Sequence, residues 1–159
     1  TWLSVLEASY AVFLVPPYHR NIGKRLIKAP KLYFADTSLA AYLTGLRTER
    51  TVTEGPMYGP LVETAVASAW YKAYVNRGER PGLYFWRTWD GEEIDLLLEW
   101  DGRLYPLEVK ATATVVPGHA RPVAAWRERN RGPRGIVVAD IQEPASLLPG
   151  VTAVPWNWV

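Results

Sequence analysis

The sequence predicts an α/β protein of the α+β kind, with the element order α-β-β-β-α-β around a mixed central sheet. Two apolar, β-prone runs flank the dipeptide Asp101-Gly102, which is typical of a tight hairpin turn. An apolar stripe with helical spacing covers residues 60–74, and the buried-strand pattern GIVVA follows a second helical segment. Amphipathic helices of this kind pack on the faces of a sheet.

The first 46 residues are predicted to form a separate N-terminal segment. A short apolar helix precedes the strand-like run YAVFLV, a long basic loop and a second strand, KLYFA. Asp36, Thr37 or Ser38 can cap a further short helix, which Gly45 ends. Helix, strand, basic loop and strand together are typical of the rear half of a winged helix, in which the loop is the wing.

Residues 47–59 are polar and are interrupted by Gly55-Pro56 and Gly59-Pro60. We interpret this stretch as a linker, because such dipeptides mark turns and loops. The predicted organisation is a partial winged-helix-like segment at 1–46, a linker at 47–59 and a main domain at 60–159.

Within the main domain, Pro60 suits the first position of a helix that continues to Tyr74. Strands are predicted at 83–88, 92–100 and 103–110, a helix at 119–129 and a buried strand at 135–139. Residues 151–159 are expected to add a final edge strand, because Pro155 is unsuited to a central position.

The predicted hairpin places two acids and a lysine close together. A two-residue type I′ turn at Asp101-Gly102 fixes its register. Asp95 then lies opposite Glu108, and Lys110 points to the same face as Glu108. Opposed Cβ atoms are about 4.5–5.5 Å apart. Two carboxylates at that distance repel each other, and a hard divalent cation bound through oxygen would relieve the repulsion.

A structural explanation of these charges stands beside the functional one. Charged residues alternate along the solvated face of many antiparallel sheets, where Lys110 would simply neutralise its neighbours. A three-residue loop would also shift the pairing and separate the two acids. Apolar residues lie on both faces of both strands, which favours a sheet that is covered on both sides. Both explanations stay open on the hairpin alone.

Composition limits the kinds of site that the chain can build. The 159 residues include no cysteine and only two histidines, which excludes disulfides and thiolate metal sites and argues against a multi-histidine zinc site. A carboxylate metal site remains open. No apolar run approaches the ~18 residues of a membrane span, so we expect a cytoplasmic protein without a membrane partner.

Two basic clusters are compatible with binding to a polyanion such as DNA. The first lies in a stretch without acids and consists of Arg20, Lys24, Arg25, Lys28 and Lys31. The second is rich in arginine and includes Arg127. Each cluster could instead be a solvated loop or a solvated helix face. No element that reads bases can be assigned.

Asp95 followed by the triplet Glu108-Val109-Lys110, in this element order, resembles the PD-(D/E)xK nuclease superfamily. The resemblance implies that Asp95 and Glu108 bind Mg²⁺ or Mn²⁺, with the Val109 carbonyl as a third protein ligand. It also implies that Lys110 positions or activates water. Glu63, on the first helix of the main domain, matches the glutamate that often completes such sites. The aspartate here is not preceded by the proline of that motif.

Longer segments are similar to the C-terminal region of a family of bacterial and archaeal AAA-type ATPases. They include TWLSVLEASYAVFLVPP, GPLVETAVASAW, LYFWRTWDGEEIDLLLE and GRLYPLEVKATAT. In that family the region is a domain of unknown function joined to an upstream ATPase module, which the resemblance implies as a partner. The chain contains no G-x-x-x-x-G-K-[ST] motif, so ATP is expected to bind only in the upstream module, which this chain lacks.

Three functions are compatible with these patterns. The first is a Mg²⁺- or Mn²⁺-dependent nuclease domain that acts on DNA, in which Asp95, Glu108, Lys110 and Glu63 carry the chemistry. The second is a nuclease-like fold that only binds DNA or senses substrate for the ATPase. The third is a protein-interaction platform or a homo-oligomerisation domain of the ATPase. We expect the first.

Overall fold

The computed structural model describes residues 1–18 and 29–158. The described helices are α1 (Trp2–Ala8), α2 (Thr37–Leu43), α3 (Glu49–Thr53), α4 (Tyr58–Val75) and α5 (Pro117–Asn130). The described strands are β1 (Val12–Val15), β2 (Lys31–Phe34), β3 (Leu83–Arg87), β4 (Glu93–Trp100), β5 (Arg103–Lys110), β6 (Gly135–Ala139), β7 (Ala145–Leu148) and β8 (Val151–Pro155). No helix in the described ranges is long and apolar enough to cross a membrane.

A mixed sheet of six described strands forms the centre of the fold, in the order β3-β4-β5-β6-β8-β7. β4 is antiparallel to both β3 and β5, whereas β6 is parallel to both β5 and β8, and β7 is antiparallel to β8. The chain therefore has the predicted α+β character, and α4, β3, β4, β5, α5 and β6 follow one another in the predicted order.

Apolar residues cover the sheet on both faces. On one face Val62 and Val66 of α4 pack with Leu96 and Leu107. On the other face Val123 of α5 belongs to a second cluster, which also contains Trp86, Ile94, Leu97, Trp126 and Val137. Strands buried on both sides explain why both faces of the hairpin sequence are partly apolar.

The N-terminal segment packs against the main sheet and shares its core. β1 and β2 form an antiparallel hairpin, and Phe13 stacks on Tyr71 of α4 with ring centroids 4.2 Å apart. After β1 the chain continues alongside β3, where Tyr18 N donates to Phe85 O at 2.7 Å. The stretch 47–59 contains α3 and the first residues of α4. The division of the chain into two domains stays a prediction.

The predicted edge strand at residues 151–159 is wrong in position and length. β8 ends at Pro155 and lies between β6 and β7, and Trp156–Trp158 form a 3₁₀ turn. A proline is tolerated there because it occupies the last position of the strand, opposite Ala139. The edge strand is β7, a short and partly exposed strand that the sequence analysis missed.

Candidate active site

The turn between β4 and β5 sets the register of the site. Asp101 and Gly102 have φ values of 50° and 67°, as a type I′ turn requires. The regular pairing runs from Trp100↔Arg103 to Leu96↔Leu107, which is the predicted register. This ladder stops one residue short of Asp95 and Glu108.

An extra residue in β4 changes the direction of side chains beside Asp95. Tyr84 of β3 pairs with Leu97 of β4, and Trp86 pairs with Ile94. The step from one pair to the next is two residues in β3 and three residues in β4, so β4 contains one extra residue. Ile94 and Leu97 consequently both pack on the α5 side, although their spacing in a regular strand would place them on opposite faces. Bulges of this kind redirect side chains next to active sites.

Asp95 is held by the backbone of the neighbouring strand. Its Oδ2 accepts a hydrogen bond from Val109 N–H at 2.8 Å. Burial, followed by the negative charges of Glu108 and Glu63, raises the pKa of Asp95 to about 7, although the Val109 N–H and Lys31 act in the opposite direction. The contribution of Glu108 to this shift means that the charges of the two acids act on each other.

Glu108 is 7% exposed and has one bonded and one unbonded oxygen. Its Oε1 accepts from Lys110 Nζ at 2.7 Å, whereas its buried Oε2 has no partner in the described protein. Burial raises the pKa of Glu108, partly opposed by Lys110. For Lys110, burial disfavours the charged form, but the hydrogen bond and the charge of Glu108 outweigh it and raise the pKa of the amine.

Glu63 of α4 and Glu93 of β4 join Asp95 and Glu108 in a group that we call the acid cluster. Residues of β2 hold Glu63 in this cluster. Lys31 Nζ lies 3.1 Å from Glu63 Oε1 and 2.8 Å from Glu93 Oε1. Tyr33 OH donates to the same Glu63 oxygen. Burial, then Glu63, raises the pKa of the Tyr33 phenol.

Three residues around these acids were not predicted to belong to the site. Tyr33 and Glu93 were not predicted at all, and Lys31 was predicted only as a phosphate contact. Lys31 was expected on a basic loop, but its ammonium group lies among the acids and its side chain is 23% exposed. The sequence held a weak signal, since Lys31 and Tyr33 lie two residues apart on one strand, as do Glu93 and Asp95.

Arg127, the other predicted nucleic-acid contact among the described residues, is bonded away from the acids. Arg127 Nη1 donates to Pro149 O at 3.1 Å, in the turn between β7 and β8. Four of the predicted contacts lie outside the described residues: Arg20, Lys24, Arg25 and Lys28.

The acid cluster offers oxygen donors for a metal ion. Among the described residues, no group of three or more His, Cys, Asp or Glu side chains is arranged as a metal site. Magnesium, however, needs only one or two carboxylates, because it retains several waters. Asp95, Glu108 and the Val109 carbonyl are donors of that hard type. The unbonded Glu108 Oε2 fits such a role, since a buried oxygen without a partner is costly.

Comparison with known proteins gives a family but no activity. An uncharacterized protein of Mycobacterium bovis and an uncharacterized protein of Mycobacterium tuberculosis are each 34% identical over 113 residues, which cover 71% of this chain and 25% of the relative. The chain thus spans about a quarter of the length of these curated relatives. No solved structure matches.

Two family models match successive parts of the chain. A domain of unknown function (DUF8612) matches residues 1–50, and a domain of unknown function (DUF4143) matches residues 58–159. The second match covers well over half of the chain, so the chain belongs to the DUF4143 family of domains.

Proposed function

We propose that this domain is a metal-dependent endodeoxyribonuclease of the PD-(D/E)xK type. The observation that carries the proposal is the pair of interacting acids, the half-buried Asp95 and the buried Glu108, beside Lys110. Burial and the charge of Glu108 raise the pKa of Asp95 to about 7, and Lys110 Nζ lies 2.7 Å from Glu108 Oε1. The element order from α4 to β6 supports a core of this type.

Asp95, Glu108 and the Val109 carbonyl would hold Mg²⁺ or Mn²⁺. When bound, the ion would activate water and stabilise the charge that develops on the phosphate. The two acids must lose their protons first, so Asp95 is the group that ties metal binding to pH. Lys110 would orient the attacking water and balance negative charge beside Glu108.

Glu63 would act on the same site through water or a second ion, held in place by Lys31 and Tyr33. The basic residues Arg20, Lys24, Arg25, Lys28 and Arg127 would contact phosphates without regard to sequence. Binding of that kind weakens steeply with salt. An upstream AAA-type ATPase module would be the partner that delivers or remodels the DNA.

A second function is favoured by one specific observation. Lys31 already bridges Glu63 and Glu93, and Lys110 is already bonded to Glu108. Two ammonium groups therefore neutralise much of the acid cluster without any metal. A module that binds DNA or senses substrate, but does not cleave, would have this arrangement.

Calorimetry with Mn²⁺ and nicking of supercoiled plasmid DNA separate the two functions. We expect the wild-type chain to bind Mn²⁺ and to nick the plasmid, with both activities lost in Asp95→Asn and the nicking lost in Lys110→Ala. Glu99→Gln is the matched control, because Glu99 lies on the same strand and is exposed. Nicking that survives Asp95→Asn rejects the nuclease. DNA binding that depends on salt but never leads to nicking favours the second function.

A further inference from the structure

The ammonium group of Lys31 lies between two carboxylates of the acid cluster. Its Nζ is 3.1 Å from Glu63 Oε1 and 2.8 Å from Glu93 Oε1. The three side chains are 23–30% exposed, so they are largely withdrawn from water but still open to a small ion. An ammonium group in this position offsets the repulsion between two carboxylates, as a bridging metal ion would.

The strand that carries Lys31 fixes its position. Lys31 pairs with Val15 of β1, whose side chain is buried. Phe13 of β1 stacks on Tyr71 of α4 with ring centroids 4.2 Å apart. The ammonium group also lies 5.4 Å from the centroid of the Phe85 ring, within the range of a cation–π contact. A group on a packed strand is placed more precisely than one on a loop, so Lys31 is a built-in member of the site.

The acids that Lys31 bridges are already engaged by the protein. Glu63 Oε1 accepts from Lys31 Nζ and from Tyr33 OH, and a carboxylate oxygen has only two lone pairs. Burial, then the charge of Glu63, raises the pKa of the Tyr33 phenol, so the phenol stays a donor. Arg87 Nε lies 3.6 Å from the second oxygen of Glu93. A metal ion at these two acids would therefore have to displace donors that the fold supplies.

The charges of the acid cluster call for one divalent ion. Its four carboxylates, when ionised, meet the ammonium groups of Lys31 and Lys110, which leaves two negative charges. Arg87, which is 48% exposed at the rim, reduces this excess further. Before substrate binds, one Mg²⁺ or Mn²⁺ balances the described charges, whereas a second ion would leave the site positive. Without Lys31 the excess rises to three negative charges, which one ion no longer balances.

We propose that Lys31 takes the place of a second metal ion in the acid cluster. The domain then binds one divalent ion, at Asp95 and Glu108, and Glu63 does not contact it. The inference deepens the proposed nuclease and rests on it. Of the two roles open to Glu63, it selects the one through water. Lys31 and Tyr33 hold Glu63 for that role, so all three are positioning residues.

The number of Mn²⁺ ions bound per chain tests the proposal without DNA and without cleavage. Calorimetry and the EPR signal of free Mn²⁺ during a titration both give this number. We expect the wild-type chain to bind one ion. Lys31→Ala removes the ammonium group and leaves space beside Glu63 and Glu93, so it should bind two. Lys31→Arg keeps a cation and should bind one, as should Lys72→Ala, the matched control at an exposed position of α4.

Glu63→Gln distinguishes a positioning residue from a metal ligand. In the otherwise wild-type chain, Glu63→Gln should leave the single ion bound. In the Lys31→Ala background, the same substitution should abolish the second ion. A purely structural role of Lys31 would change the stability of the chain but not the number of ions that it binds.

Each result decides the role of Lys31 separately from the nuclease. Two ions on the wild-type chain, or one ion on a folded Lys31→Ala chain, overturn this role even if the chain nicks DNA. Loss of the wild-type ion in Glu63→Gln overturns it as well, and this variant decides alone if Lys31→Ala does not fold. The expected numbers of ions without nicking keep the role of Lys31 and reject the nuclease. A wild-type chain that binds no Mn²⁺ rejects both.

Discussion

Lys31, on the second strand of the N-terminal hairpin, forms an ion pair with Glu63 of α4 at 3.1 Å. The same ammonium group lies 2.8 Å from Glu93 and 5.4 Å from the centroid of the Phe85 ring. β2 therefore supplies a cation to the acids of α4 and β4. This contact makes β2 part of the site.

Replacing Lys31 with methionine should destabilise the chain by about 1–2 kcal/mol at neutral pH, since Glu63 and Glu93 lose a partly buried counter-charge. The loss should also raise the pKa of Asp95 further, because Lys31 lowers it in the wild-type chain. Urea denaturation measures the first effect, and carboxyl ¹³C shifts measure the second. The exposed Lys72 of α4 is the matched control, and Lys72→Met should change stability by less than about 0.5 kcal/mol.

Stability without metal should fall as the pH rises from about 4 to about 7. Burial and neighbouring acids raise the pKa of Asp95 from 3.8 to about 7, so in this window the folded chain keeps a proton that the unfolded chain has released. By linkage, this raised pKa stabilises the folded chain fully below pH 3.8, the pKa of Asp95 in the unfolded chain. The stabilisation, about 2–4 kcal/mol, is lost as the pH rises to about 7, the pKa of Asp95 in the folded chain.

Urea denaturation in the presence of EDTA, repeated across this pH range, measures the effect. Asp95→Asn should flatten the profile and be more stable than the wild-type chain at pH 8. Asp101→Asn, in the exposed turn, should keep the wild-type profile. A wild-type stability that rises from pH 4 to pH 7 would contradict the burial of Asp95.

Gly135→Ala should destabilise the chain by about 1–3 kcal/mol, the usual cost of overpacking a core. A Cβ at Gly135 would overlap Val123 Cγ1 of α5 and lie 3.3 Å from Val151 Cγ2. The cost should shrink in a Val123→Ala background, which a double-mutant cycle measures by chemical denaturation. In contrast, a Cβ at Gly118 would meet only Val116 Cγ2 at 3.8 Å, so Gly118→Ala should be neutral or stabilising. If Gly135→Ala destabilises the wild-type chain and the Val123→Ala variant equally, Val123 of α5 does not pack closely against Gly135 of β6.

Local sequence determined the hairpin that carries the site. A type I′ turn at Asp101-Gly102 and the alternation of side chains predicted the register of β4 and β5, and both features depend only on neighbouring residues. The strand at 103–110 was predicted at its observed ends for the same reason, and the strand at 135–139 because its continuous apolar run is typical of a buried strand. Helix α4 begins two residues before the predicted Pro60, which is an ordinary uncertainty of helix ends.

Pairing with β3 decided what happens around Asp95. The extra residue between Ile94 and Leu97 exists only relative to Tyr84 and Trp86, so the sequence of β4 alone carries no sign of it. The edge strand β7 was missed for a related reason. It is short and partly exposed, and it is a strand because β8 lies beside it.

The sequence by itself determined which two acids and which lysine share the hairpin, because turn geometry and alternation act over a few residues. Only the tertiary structure brought Glu63 and Lys31 to those acids and closed a cavity between Glu108 and Trp126. These residues are far apart in the chain and meet because α4 and α5 pack on opposite faces of one sheet. Packing of distant elements depends on the complementarity of whole surfaces, which no local pattern encodes.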